Sequence, residues 1–300
     1  MKYNYVLSLI IAVVPAFFAC QDEKALAPLE NITVNRYEFP QGNNSWDQEI
    51  EKIYREYGVR CIYKDFTSKD LNREWTGGGS SVYAGEAVPE NEISFYVEFN
   101  KEYVFPCIGK EVHFPLYYYF IKNFRYVATD DEEESSIASK FDGFDYWAIS
   151  FTEEDMENRS RDEMIRVSNG LIYALLKNFF QRGILTEPGH FRDGIDYTTV
   201  VWDGFDDDKP ELYRRGFVDR VKESFSNGFQ IWNLKLLTTD YGDFWGYVRS
   251  AMFHPESVFR EKYPADAYPL LQKRYDMVVK QVLQQTGINL KKVAERKLEK

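Results

Sequence analysis

Histidine and cysteine are scarce in this chain, with three of each among 300 residues. His113, His190 and His254 lie far apart, and no HExxH occurs anywhere. A helix-borne zinc site made from two histidines four residues apart is therefore excluded. Each lone histidine reads first as a hydrogen-bonded structural residue. Cysteine spacing of the zinc-binding kind is missing as well. Basic residues are outnumbered, 37 Lys and Arg against 48 Asp and Glu, for a net charge of −11. That charge repels a phosphate backbone, so nucleic acid is excluded as a partner. The glycine run Gly77-Gly78-Gly79-Ser80-Ser81 has no Gly-Lys-Ser/Thr behind it and reads as a turn, not a phosphate loop. The acidic run from Asp130 to Glu134 lacks the ligand spacing and turn glycine of a calcium loop. No internal repeat or low-complexity tract is present.

What the chain does have begins at its start. Lys2 precedes an apolar run from Tyr5 to Val14, followed by Pro15-Ala16-Phe17-Phe18-Ala19-Cys20. The run is shorter than the roughly 20 residues a membrane-spanning helix needs. It has the length of a signal-peptide core. Ala19 before Cys20 resembles a lipobox, which makes residues 1–19 an expected signal peptide and Cys20 the expected lipidation site. Asp22-Glu23 behind it resembles the export signal of surface lipoproteins in the Bacteroidetes. Residues 20–42 read as a lipidated tether, and 43–300 as one domain. The expected location is the outer membrane, on the cell surface, held by lipid.

Along the folded part, Ser45-Trp46-Asp47-Gln48 opens a helix that Gly58 closes. Val59 to Phe66 reads as β-rich, and Thr67 to Gly85 as a loop. Ile93, Phe95, Val97 and Phe99 alternate with Ser94, Tyr96 and Glu98, the pattern of a half-buried strand. His113 to Val127 and Phe144 to Phe151 add further strand signals. From Arg161 the period changes: Met164, Val167, Leu171, Leu175 and Phe179 share a helix face, and Gly183 is the expected C′ residue. Further helices are expected over Glu211 to Phe225, Asp243 to Phe253 and Ala267 to Gln285. Strands followed by helices predict an α+β fold. Cys61 and Cys107 fit a disulfide or two buried thiols equally well. The abundant aromatics, 17% of the chain, fit a ring-rich core or a sugar-stacking surface.

Several short segments then fall in a familiar order: Pro188-Gly189-His190-Phe191, Asp196-Tyr197, Trp202, Gly216-Phe217-Val218, and Asp243-Phe244-Trp245-Gly246-Tyr247. Upstream stand Tyr54-Arg55-Glu56-Tyr57-Gly58 and Tyr63-Lys64-Asp65-Phe66. Over residues 45 to 255 this order resembles the substrate import-associated zinc metallohydrolase lipoproteins, the zinc-binding metallopeptidase family of the Bacteroidetes. The resemblance implies a zincin-like fold and a zinc held by HExxH on the long helix. On this chain that motif falls on Asn169-Gly170-Leu171-Ile172-Tyr173. Asn169 and Tyr173 stand where the histidines belong, and Gly170 where the glutamate belongs. Asp243 is kept in the later helix, but Gly242 and Gly246 replace the acidic residues beside it. An amide and a phenol are poor zinc ligands and glycine is no base, so neither catalysis nor a zinc cofactor is expected. The expected role is a binding or assembly component of a nutrient-uptake system. The expected partners are a TonB-dependent uptake complex and a glycan or peptide ligand, with Tyr197, Trp202 and Trp245 as ligand contacts. Two alternatives remain: a hydrolase using carboxylates such as Glu187, Asp196 and Asp203, and an unrelated glycan-binding surface lipoprotein.

Overall fold

The computed structural model describes residues 35–73, 82–110, 112, 114–127, 134–157, 160–199, 210–218 and 240–296. The signal peptide, Cys20, most of the tether, His113, Trp202 and Asp203 lie outside the described residues. One compact unit runs Phe39–Lys300, and residues up to Glu38 form a separate one. Within the larger unit, Gln41 is already fixed, although the sequence places it in the tether. Its side chain accepts from Tyr63 N at 2.8 Å and donates to Lys64 O at 2.7 Å.

Helix α1 spans Ser45–Tyr57, with Asn44 and Asp47 forming a reciprocal capping box and Gly58 in the left-handed region at φ 73°. Strand β1 (Arg60–Ile62) follows. The segment read as a loop then holds a short helix, α2 (Ser68–Leu71), and strand β2 (Tyr83–Glu86). Asn72 organises them: its carbonyl oxygen accepts from Val82 N and Tyr83 N, both at 2.9 Å.

The expected strand at Ile93 to Phe99 is instead a helix, α3 (Glu90–Phe99). Alternation and helical spacing overlap in so short a window. Tyr96 sits on the polar phase of the strand pattern, yet it is fully buried along with Ile93, Phe95, Val97 and Phe99. A helix enclosed on several sides buries both phases, whereas a half-buried strand would expose Tyr96. Pro89 before the first turn and the acidic Glu90 and Glu92 in it favour the helix. Tyr96 Oη donates to Ile121 O at 2.8 Å and accepts from Phe151 N at 3.2 Å, tying α3 to two strand ends.

After a π turn at Asn100–Val104 and a 3₁₀ turn at Phe105–Cys107 come β3 (Tyr117–Phe120), β4 (Lys122–Tyr126), β5 (Ser135–Ser136), β6 (Ser139–Lys140) and β7 (Tyr146–Ile149). One sheet has the order β1-β3-β7-β6, with β1, β3 and β7 parallel and β6 antiparallel to β7. The other is antiparallel, in the order β2-β4-β5. Every residue of β3 and β7 is buried, as strands covered on both faces require. Helices then take over: α4 (Glu153–Glu157), α5 (Arg161–Gln181), α6 (Pro210–Arg214), α7 (Asp240–Phe253), α8 (Glu256–Lys262), α9 (Pro269–Thr286) and α10 (Leu290–Glu295). The fold is α+β. Of the helix expected over Glu211 to Phe225, Pro210–Arg214 is helical and residues 219–225 lie outside the described residues. Gly183 and Gly287 take left-handed φ values of 71° and 70° just beyond α5 and α9, which glycine adopts without strain.

Rings fill the interface between sheet and helices: Trp147 of β7 meets Phe179 of α5, with centroids 6.2 Å apart. Cys61 on β1 carries a free, buried thiol, so no disulfide joins it to Cys107. Burial pushes that thiol well above its ordinary pKa. Cys61 is accordingly expected to resist alkylation in the native protein and to react fully in denaturant, as peptide mapping after iodoacetamide treatment reads directly.

Candidate functional site

Four of the segments singled out by their order in the sequence converge on one side chain that the sequence did not flag, Arg274 of α9. Its relative exposure is 1%. Nε donates to Phe191 O at 3.1 Å, and Nη1 donates to Gly216 O and, at 3.3 Å, to Asp243 Oδ1. Nη2 donates to Asp243 Oδ2 and, at 3.2 Å, to Tyr197 Oη. Tyr197 in turn donates to Asp243 Oδ2 at 2.7 Å, and Tyr247 Oη donates to Gly216 O at 2.7 Å. The guanidinium lies 4.0 Å from the centroid of Phe191 and 4.9 Å from that of Tyr247. The planar fork of arginine matches a carboxylate with two parallel bonds, and its third edge serves the carbonyls. Phe191, Tyr197, Gly216, Asp243 and Tyr247 thus form the cradle of one buried cation.

Burial is the largest influence on Asp243 and pushes its carboxyl above the usual range, while the Arg274 charge and the bonds from Arg274 and Tyr197 pull it back. Burial, reinforced by the Asp243 bond, also raises the Tyr197 phenol, which stays a neutral donor. Burial alone would lower Arg274, but the facing groups more than offset it.

The positions aligned with HExxH sit on α5 and face inward. Asn169 is 0% exposed, and its Oδ1 accepts from Arg296 Nη2 at 2.7 Å. Gly170 is buried in mid-helix. Tyr173, one turn on, packs edge to face against Trp245 of α7 at 5.3 Å. Phe180 continues that contact, stacking on Phe244 at 5.8 Å and meeting Trp245 at 5.4 Å. Side chains of helices α5 and α7 thus meet through their rings. These residues do not fit a zinc ion. The oxygens of Asn169 and Asp243 are each taken by a buried guanidinium, and Tyr173 is engaged with an indole. Among the described residues, no three His, Cys, Asp or Glu side chains form a group able to hold a metal.

The expected ligand contacts divide. Tyr197 is half-buried against the core, and its hydroxyl is committed to Asp243. Trp245 is 0% exposed and presents no surface to a ligand, which corrects that expectation. Lys177 covers its indole at 4.1 Å. Trp202 lies outside the described residues.

Of the carboxylates of the alternative hydrolase reading, Glu187 and Asp196 are engaged as well. Glu187 receives Nε and Nη2 of Arg192 at 2.8 and 2.9 Å. Asp196 accepts from Thr198 N at 2.8 Å, Thr198 Oγ1 at 2.7 Å and Thr199 N at 3.1 Å. Hydrogen bonds from Thr199 and Thr198 hold its carboxyl well below the ordinary range, the reverse of what a general acid needs. His190 sits at φ 64° on the exposed loop tip, with Nδ1 2.8 Å from Asp193 Oδ2.

The cation cradle predicts a specific pattern of losses. Arg274→Leu leaves Asp243 buried without its counter-charge and is expected to cost about 3–5 kcal/mol in chemical denaturation. The double variant Arg274→Leu/Asp243→Leu removes both charges and is expected to lose markedly less than the single one. Tyr197→Phe removes the bond given to Asp243 and the bond received from Arg274 and is expected to cost about 1.5–3 kcal/mol.

No protein-family model matches the chain, and no curated protein matches it. Among solved structures, the chain is similar to a protein from Bacteroides caccae proposed to be a zinc-binding metallo-peptidase. The two are 12% identical over 86% of this chain and 92% of that one, with a TM-score of 0.41. The likeness is a distant one.

Proposed function

We propose that this chain is a lipid-anchored, non-hydrolytic binding or assembly component of an outer-membrane nutrient-uptake system, built on a zincin-like framework whose catalytic positions have become core. The observation that carries this reading is the state of the two oxygens nearest to metal ligands. Asn169 Oδ1 faces Arg296, and Asp243 faces Arg274. A cationic metal brought there would meet positive charge already in place. The framework segments remain and now serve a buried ion pair. In this reading Cys20 carries the lipid, a TonB-dependent transporter is the partner, and a glycan or peptide is the ligand, touched by Tyr197 and Trp202. The carboxylate hydrolase has less support, because Glu187 and Asp196 are both tied up as acceptors.

Purified residues 21–300, dialysed against trace zinc, are expected to hold far less than one equivalent by elemental mass spectrometry and to cleave neither peptides nor polysaccharides. A tightly held stoichiometric zinc would overturn the reading. In the producing cell, Cys20→Ala is expected to abolish incorporation of labelled fatty acid and release the protein from the membrane fraction.

A further inference from the structure

A second buried guanidinium lies in the helical half, bound to Asn169 at the start of the motif window singled out in the sequence. Arg296, just beyond α10, is 6% exposed. Its Nη2 donates to Asn169 Oδ1 at 2.7 Å, and its Nη1 donates to Ser168 Oγ at 2.7 Å and to Tyr103 O. Its Nε donates to Val293 O at 3.1 Å, within its own turn. Ser168 is oriented to accept, because its own hydroxyl hydrogen goes to Ile165 O at 3.0 Å. Asn169 is oriented too: its Nδ2 makes no hydrogen bond, so the amide acts here through its oxygen alone. Among the described residues, four acceptors from α5, the π turn and α10 therefore face one planar cation. An amide group buried with its donor unmatched carries a cost, which the charge-assisted bond at its oxygen offsets.

We infer that the junction of α5, the π turn and α10 is a guanidinium-binding site, filled in cis by Arg296, whose acceptor set selects a planar multi-donor cation over a metal ion. Of these four acceptors, three are neutral carbonyl or amide oxygens and one is a hydroxyl. Such a set suits the flat array of N–H donors of a guanidinium and lacks the imidazole or thiolate that zinc prefers. A small alkylguanidinium is the class of free ligand it takes once the side chain is removed. The inference rests on these contacts and stands whether or not the chain descends from a metallohydrolase.

Arg296→Ala tests it on the whole mature chain. The melting temperature is expected to fall by on the order of 5–10 °C. Millimolar methylguanidinium is expected to restore much of that loss in Arg296→Ala, and to do nothing for the natural protein. Zinc chloride is expected to give no such recovery. A variant that keeps its melting temperature, or a destabilised one that methylguanidinium does not raise, overturns the inference, and so does rescue by zinc.

If Arg296→Ala does not fold, Asn169→Asp in the natural chain answers instead. The change keeps the acceptor, removes the unmatched Nδ2 donor and adds a negative charge against Arg296. It is expected to raise the melting temperature at neutral pH. A fall in melting temperature at neutral pH would overturn the inference. The zinc content of the unaltered protein tests the functional reading separately, so the two can fail independently.

Discussion

The helical half of this protein depends on a buried arginine facing a buried aspartate. Arg274 and Asp243 are each 1% exposed, and between them they fix the carbonyls of Phe191 and Gly216 and the hydroxyl of Tyr197. Such a pair is not a cheap source of stability, because desolvating two charges costs several kcal/mol per ion before their attraction is counted. What it contributes is geometry. A fork with five donors satisfies acceptors from two loops and one helix at once, and none of them is free to shift without stranding a buried charge. Sheet, π turn and α5 form around rings, which tolerate small displacements. The cradle around Arg274 tolerates few.

This explains how a set of short segments reads as a unit in the sequence while its chemical meaning stays hidden. Phe191, Tyr197, Gly216, Asp243 and Tyr247 were legible as an ordered series. Their common partner was not, because a lone arginine in an amphipathic helix looks like a solvated residue. Only the three-dimensional path of α9 brings it inward. The signal that could have found it is local: Arg274 stands between Leu271 and Tyr275 and Val278, on the apolar face of its helix. A charge in that phase has to be matched somewhere. Arg296 was hidden for the same reason.

Elsewhere legibility followed the length of the pattern. The long helix at Arg161–Gln181 and its glycine stop were plain, since twenty-one residues carry the helical period many times over. The helix at Glu90–Phe99 was not, because four alternating apolar residues satisfy either period and only the burial of Tyr96 separates them. Of the residues read as ligand contacts, Trp245 fails for a related reason. An indole in a helix rich in rings reads as a candidate for stacking, and the same composition serves equally well to fill the space between two helices.

The sequence separations at Arg296 carry one more consequence. Its bonds reach back 127 residues to Asn169, 128 to Ser168 and 193 to Tyr103. A ribosome delivers Ser168 and Asn169 more than a hundred residues before the arginine that satisfies them. Contacts of such range make for slow, late consolidation. The strand-rich half waits on the same stretch, since Gly109 N donates to Gly287 O at 2.9 Å and Asn289 N to Cys107 O at 3.2 Å, so the order of synthesis makes residues 287–296 the common clasp of both halves.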